Sequence, residues 1–248
     1  MNSADGKNVE VSTASRRAYD AIELAIQIGE LKPNQRLIER ELVENLGISR
    51  TPIREALRQL EKVGLIDVIP NRGAIVRDAT ISEIIDIYAV RLTLERLALD
   101  LLPLPSPETL AALEHNQQGL ADAARRRDYP TMVRLNDKFH ELLVEPSGNA
   151  FLAEQLRQLR RRNYLIRHIS PLETFTEQHG AIVERLRRAD WAGLVPLVLA
   201  HIFEPARLYL SQSLPASEAD LAGLHRLEHL VVALSQRSRP EPVEAPQF

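Results

Sequence analysis

The sequence contains no cysteine, and glycine is sparse after Gly73. The absence of cysteine excludes disulfides and thiolate metal sites. Neither a glycine-rich phosphate loop nor a G-x-S-x-G motif is present, so the chain shows no machinery for phosphoryl or acyl transfer. It also has no signal peptide pattern and no uninterrupted apolar run long enough to span a bilayer. These absences predict a cytoplasmic protein without a membrane partner.

An excess of positive charge is missing as well. The formal net charge is −3 over 248 residues, and residues 1–78 carry twelve Lys or Arg and twelve Asp or Glu. This balance excludes a general nucleic-acid coat, so any DNA contact must come from the arrangement of basic side chains on one face. The length and a hydrophobic content of 44% fit one large or two ordinary domains.

Residues 37–76 follow the pattern of a helix-turn-helix with a wing. A first amphipathic helix ends at Gly47, which can adopt the left-handed conformation that terminates helices. A second helix begins almost at once, because Ser49 is a favoured N-cap and Ile48 and Ile53 have the spacing of a hydrophobic staple. Two short strands, Ile66–Ile69 and Ala74–Arg77, then form the predicted wing.

The second of these helices has one apolar and one basic face. Its inward residues at helical spacing are Ile53, Ala56, Leu57 and Leu60. Arg50, Arg54 and Arg58 are four residues apart and share another face. A row of arginines can be a solvated surface, but a guanidinium can also meet guanine O6 and N7 or phosphate oxygens in the major groove. Turn, cap, staple and wing together favour a winged helix-turn-helix that binds DNA.

The remainder reads as helix after helix. The predicted spans are about 81–101, 107–127, 130–144, 149–168, 173–188, 191–213 and 217–236, and Pro196 and Pro205 predict a kink or a break in the sixth. The fold is therefore predicted to be mainly α, with a winged helix-turn-helix at 15–78, whose first helix is Arg16–Gly29, and an all-α bundle for effector binding and dimerisation at 79–236. Residues 1–14 and 237–248 are predicted to be disordered tails.

Three of the seven histidines fall on the apolar faces of separate bundle helices. These are His140, His179 and His201, whereas His115, His225 and His229 fall on polar faces. An inward histidine is often a core residue with a satisfied hydrogen bond. Three of them also allow a second interpretation, because one divalent cation would satisfy all three imidazoles at once.

The segment ELVENLGISRTPIREALRQLEKVGLI, followed by PNRGAIV, resembles the N-terminal domain of GntR-family transcription regulators, especially the FadR-like branch. The resemblance implies operator contacts from Arg40, Arg50, Arg54 and Gly73, with Arg72 at the variable wing-tip position. We add Thr51 and Arg58 from their place in the second helix.

The segments LNDKFHELLVEPSGNAFL, EQHGAIVERLRRAD and LVLAHI resemble the FCD effector domain that follows this winged helix. That likeness implies a divalent metal held by Asn136, His140, His179 and His201, with zinc expected and nickel or manganese as alternatives. The common pattern has Asp where this chain has Asn136. A neutral ligand set leaves the charge of the ion uncompensated, which favours an anionic effector.

The FCD likeness also implies that Arg91 binds the effector's carboxylate. The spacing of four between Arg91 and Glu95 equally fits an internal ion pair. The two interpretations are compatible.

The sequence thus predicts a homodimeric repressor that binds double-stranded operator DNA under the control of a small organic acid. In one alternative the metal itself is the signal. In another the bundle is a metal-dependent enzyme, since His225-Arg226-Leu227-Glu228-His229 matches the H-x-x-E-H pattern. The histidines of that motif face away from the leucines of their helix, so we predict that the protein is not an enzyme.

Overall fold

A computed structural model describes residues 4–69, 73–162, 172–212 and 217–238, with side chains from residue 13 onward and, after the second gap, from residue 176. Its elements divide into two compact units. Arg161 and Arg162 group with the residues up to Ala79, and the second unit begins at Thr80 and contains the other described residues. The first unit contains α1 (Ala4–Gln27), β1 (Arg36–Leu37), α2 (Glu39–Leu46), α3 (Arg50–Lys62), β2 (Ile66–Ile69) and β3 (Gly73–Val76).

Helix α1 covers α3 with Tyr19, Ile22 and Ile26, which are all buried. The sequence prediction had this helix begin at Arg16 after a disordered tail of 1–14. In the structure it begins at Ala4, so the described residues 4–14 are helical rather than loose. The stretch from Ala4 to Ser15 contains no proline that would stop the helix.

The turn between α2 and α3 has the predicted geometry. Gly47 takes the left-handed conformation, with φ of 62°, and its N–H donates to the carbonyl of Val43. Ser49 is the N-cap residue of α3, although its hydroxyl accepts no hydrogen bond from the helix. Ile48 and Ile53 are both buried beside this turn. The turn therefore fixes how α3 leaves α2.

The wing is a three-stranded antiparallel sheet in the order β1-β3-β2, with Val68 opposite Ala74. The sequence predicted only two strands, because β1 has two residues and is too short to show alternation. Gly73 has φ of +88°, and a Cβ at this position would lie 2.3 Å from the carbonyl oxygen of Leu37. Only glycine allows β3 to approach β1 this closely.

The second unit is a helical bundle. Its helices are α4 (Ile81–Leu101), α5 (Pro107–Arg126), α6 (Tyr129–Val144), α7 (Ala150–Arg161), α8 (Leu172–Arg187), α9 (Trp191–Gln212) and α10 (Glu218–Gln236), with a 3₁₀ turn at Glu145–Ser147 after α6. Thr80, Ser106, Asp128 and Ser217 cap four of these helices by accepting a backbone N–H. The fourth predicted span, 149–168, ends earlier as α7, and residues 163–171 lie outside the described part of the chain.

Helix α9 runs unbroken through Pro196 and Pro205, so the predicted break is absent. Its length and a mean hydropathy of 1.2 over eighteen residues would by composition allow it to cross a membrane. Half of that window is buried inside the protein, as expected for the core helix of a bundle.

Arg96 joins the first and last helices of the bundle. Its side chain is buried and is paired with Asp100. The guanidinium donates to the carbonyl oxygens of Leu234, at 2.5 Å, and Arg237, at 2.8 Å. It thereby satisfies carbonyl groups that the C-terminal end of α10 leaves without intrahelical partners.

Candidate DNA-binding face and histidine cluster

Helix α3 presents its basic row to solvent. Its buried face consists of Pro52, Ile53, Ala56, Leu57 and Leu60. On the opposite side Arg50, Thr51, Arg54 and Arg58 are exposed. The two faces therefore separate as the sequence indicated, and the guanidinium groups are open to an external ligand.

Two of the candidate DNA-binding arginines are paired with glutamates on α2. The Arg54 Nε donates to both carboxylate oxygens of Glu39, at 2.9 and 3.0 Å, with 61% of the arginine side chain exposed. Arg40 lies 3.7 Å from Glu44, and both side chains are largely exposed. Exposed pairs of this kind are weak in water, so a phosphate or a base can replace the glutamates at small cost.

The structure says less about the two candidate DNA-binding residues of the wing. Arg72 lies outside the described residues. The close approach of Gly73 to Leu37 explains why this position is a glycine, independently of any contact with DNA. DNA contacts from both positions stay predictions.

The structure brings His140, His179 and His201 together from α6, α8 and α9. The Nε2 of His201 lies 3.1 Å from that of His179 and 3.4 Å from that of His140. All three residues are buried, and their ligand atoms lie within 4.8 Å of one another. The predicted inward orientation of the three histidines is confirmed.

Neighbouring side chains orient two of the rings. Gln178 Oε1 lies 2.7 Å from Nδ1 of His201 and can accept a hydrogen bond from its N–H. In that tautomer the His201 Nε2 carries a lone pair toward the centre of the cluster. Phe139 stacks on His179, with ring centroids 3.7 Å apart and planes 5° from parallel. Gln178 and Phe139 therefore hold the rings in a position that favours a shared ligand.

The cluster is held in the neutral state by its surroundings. Burial lowers the pKa of His201 to about 3, helped by the charge of Arg91. Burial, together with neighbouring histidines, holds the pKa of both His140 and His179 well below the ordinary 6.5. Neutral imidazoles are the form that coordinates a metal ion.

The three histidines fit a divalent metal. A tetrahedral zinc ion with Zn–N bonds of about 2.0 to 2.1 Å separates its ligand nitrogens by roughly 3.3 Å, close to the two measured Nε2 separations. A metal bound at the Nε2 atoms would not contact the Nδ1 atoms of His140 and His179, which are buried without a hydrogen-bond partner, so the fit rests on the Nε2 separations.

The fourth ligand is less constrained. Asn136 lies one helical turn before His140 on α6 and is half-buried, and its coordinating role stays a prediction. Among the described His, Asp and Glu residues, the group that could share one ion contains three histidines and no carboxylate. Asp137 is therefore not part of it.

Next to the cluster, Arg91, Glu95 and Arg160 form a second buried group. The Arg91 Nε and the Arg160 Nη1 lie 3.5 and 3.6 Å from the same oxygen, Oε1 of Glu95. The sequence prediction of an Arg91–Glu95 pair is confirmed. From the sequence, the arginine run 160–162 is interpreted as a solvated helix face with one member able to line the pocket. The member that is buried is Arg160, four residues after Leu156 and eight after Leu152.

The H-x-x-E-H motif of α10 forms no comparable site. Its histidines, His225 and His229, are exposed, and the described metal-competent group does not include them. His115 is exposed as well, as the sequence predicted.

Comparison with known proteins gives two family matches. The sequence model of the gntR family of bacterial regulatory proteins matches residues 14–76, and that of the FCD domain matches residues 86–204. Together they cover more than half of the chain, including α3 and all three clustered histidines.

Individual relatives agree with these matches. The chain is 34% identical to the HTH-type transcriptional regulator YdhC of Bacillus subtilis, over 74% of this chain and 85% of that protein. It is 31% identical to the HTH-type transcriptional regulator McbR of Escherichia coli, over 68% and 80% respectively. The solved structure of E. coli McbR/YncC superimposes with a TM-score of 0.70 at 27% identity, covering 81% of this chain and 99% of that one.

Proposed function

Because this chain belongs to the GntR family of bacterial regulatory proteins and carries an FCD domain, we propose that it represses transcription until a small carboxylate binds its bundle. The family and the relatives are transcription regulators, and the chain is a DNA-binding regulator rather than an enzyme. Its place of action would be the cytoplasm, where operator DNA is accessible.

The observation that carries the proposal is the buried positive charge beside the histidine cluster. Arg91 and Arg160 face a single buried carboxylate, that of Glu95, so one positive charge lacks a fully buried partner. An isolated buried charge is costly unless an opposite charge or hydrogen bonds compensate it. A small organic acid would supply both.

A divalent metal would be held by His140, His179 and His201, with Asn136 as the fourth ligand and zinc as the expected ion. When bound, it would supply open coordination positions and positive charge for an effector carboxylate. Gln178 would orient His201 for this purpose, and Arg91 would bind the carboxylate beside it. Metal and arginine would thus select for an anion.

Operator binding would require a homodimer, because one recognition helix contacts only a few base pairs. Helix α4 offers a surface for the second copy. Val90, Leu97 and Leu101 lie on one face of it and are between 42% and 52% exposed, so they form an apolar stripe that a second copy would cover. Two copies joined in this way would bind an inverted repeat.

Effector binding would act on DNA through the residues between the two units, Asp78 to Thr80. The effector has to bind one arrangement of the dimer more tightly than the other, since a ligand shifts an equilibrium only by its differential affinity. The spacing of the two recognition helices would change accordingly.

The test begins with selection of operator fragments from genomic DNA by the purified full-length protein. Operator affinity is then measured with and without acetate, lactate, succinate and citrate, each with zinc and with chelator. We expect one acid to weaken operator binding at least tenfold and the Arg91→Gln variant to lose that response. Unchanged operator affinity with every acid and either metal condition would contradict the proposal.

A second candidate function is metal sensing, favoured by the tight convergence of three histidines. In that case operator affinity would follow zinc concentration and ignore all four acids. The same titrations separate the two functions.

A further inference from the structure

The buried group around Glu95 is an incomplete ion-pair cluster. Its side chains are 4% exposed for Arg91, 4% for Arg160 and 1% for Glu95. The two guanidinium nitrogens are 3.5 and 3.6 Å from the Glu95 Oε1, beyond hydrogen-bond distance. Arg91 Nε, Arg160 Nη1 and Glu95 Oε1 consequently have no hydrogen-bond partner. A well-formed internal pair would satisfy these atoms.

The carboxylates around Arg160 do not complete the cluster. Glu95, Asp137 and Glu141 all favour its charged form, yet burial has the larger effect and the pKa of Arg160 is lowered overall. Asp137 and Glu141 are only half-buried, and Glu141 is also 3.5 Å from Arg157. The guanidinium therefore retains capacity for a further buried acceptor.

Arg160 also lines a cavity in the bundle. The cavity has a volume of about 330 Å³, and its wall includes Lys138, Glu141, Ala153, Arg157 and Arg160. Small-molecule sites begin at about 300 Å³. Arg160 is thus shared by a cavity that a small acid can occupy and by the buried cluster that lacks an acceptor.

We propose that Arg160 and Arg91 together bind one carboxylate group of the effector, which displaces Glu95, and that the cavity lined by Arg160 is the access route. This inference rests on the proposed function, because it assumes a carboxylate effector at Arg91. It adds a second binding residue and gives Glu95 the role of an internal competitor.

The size of the cavity also limits the effector. With about 30 Å³ for each atom the size of a water molecule, a cavity of about 330 Å³ accommodates an acid of roughly eleven non-hydrogen atoms. Acetate, lactate and succinate fall within this limit, citrate slightly exceeds it, and long-chain fatty acids exceed it clearly.

The experiment measures binding of acetate, lactate, succinate and citrate to the zinc-loaded full-length protein by calorimetry. Arg160→Gln is expected to weaken the best acid at least tenfold. Glu95→Gln is expected to tighten it at least tenfold, because the competing carboxylate is gone. Arg134→Gln is the matched control: it removes an exposed arginine of α6 that bonds to Thr131 and should change affinity less than twofold.

Two further variants keep the test independent of folding. Glu95→Asp keeps the charge but withdraws the carboxylate from both arginines, so it should also tighten binding if Glu95→Gln does not fold. Ala153→Trp fills part of the cavity and should slow association in stopped-flow mixing.

The direction of the Glu95 effect decides the inference. A purely structural Glu95 would leave acid affinity unchanged or reduced, and either result overturns the proposal, as does unchanged affinity in Arg160→Gln. The inference can fail while the proposed function survives. That is the outcome if an acid binds wild type and binds Arg91→Gln more weakly, but the Glu95 or Arg160 variants give one of the overturning results. If no acid binds wild type, the proposed function fails with it.

Discussion

Arg54 of the first unit and Arg91 of the second are both paired with a glutamate, but Arg54 is 61% exposed and Arg91 is 4% exposed. In water the Arg54–Glu39 pair contributes little stability, so under the proposed function a DNA phosphate or base would replace Glu39 at small cost. In the bundle the Arg91–Glu95 pair is held in a low dielectric, where a missing partner is costly. Under the proposed function, the same two residue types would serve a large external ligand in the first unit and a small enclosed one in the second.

Acidification of the metal-free protein should give the largest difference in stability between the two units. All seven histidines lie after residue 79, and the three buried ones have lowered pKa values, about 3 for His201. Below pH 6.5 the unfolded chain takes up protons that the folded bundle does not, so stability falls as pH falls. The loss is about 1.4 kcal/mol per pH unit for each such histidine.

Hydrogen exchange of the full chain between pH 7 and pH 5 measures this difference. The helices α6, α8 and α9 should lose protection well before α3. A variant with His225→Asn and His229→Asn should behave as wild type, since both residues are exposed. Equal loss of protection in α3 and in the bundle would contradict the prediction.

A matched pair of glutamate substitutions gives the next largest effect. Glu95→Ala leaves two buried guanidinium groups without their carboxylate and should cost about 3 to 5 kcal/mol of unfolding free energy. Glu39→Ala removes the half-buried partner of the exposed Arg54 and should cost less than about 1 kcal/mol. Urea denaturation monitored by circular dichroism measures both, and similar costs would remove the distinction between the two environments.

When operator binding is measured instead of stability, a substitution in the first unit, Arg54→Ala, should have the larger effect. Loss of a guanidinium from the recognition face should cost about 1 to 3 kcal/mol of operator affinity, with little change in stability. Arg188→Ala is the control, because Arg188 is an exposed bundle arginine paired with Glu184. Fluorescence anisotropy with a selected operator fragment provides the measurement. Equal affinities of wild type and Arg54→Ala would refute a role in DNA binding.

The smallest effect is expected at Arg40. This residue is exposed and only loosely paired with Glu44, which suits a phosphate contact. Arg40→Ala should lower the dependence of log affinity on log salt by about one unit and weaken binding similarly on all sequences. A sequence-dependent loss would instead indicate a base contact.

The sequence predicted those parts of the fold that local chemistry determines. Gly47 and the proline-bounded breaks of the bundle placed the helix ends, and apolar spacing placed the three histidines inward. The strand β1 was not predicted, because two residues are too few to show the alternation of apolar and polar side chains that identifies a strand. The contacts of Glu95 with Arg160 and of His201 with Gln178 depend on how α4, α7, α8 and α9 pack, and no local pattern determines that packing.

Arg96 has a consequence for folding rates. Its bonds to the carbonyl groups of Leu234 and Arg237 connect residues about 140 positions apart, whereas β2 and β3 of the wing are neighbours in sequence. Because long-range contacts require costly loop closure, the bundle should reach its native state later than the winged helix. During refolding the protein would then pass through a stage in which the recognition helix is formed and the histidine cluster is not yet assembled.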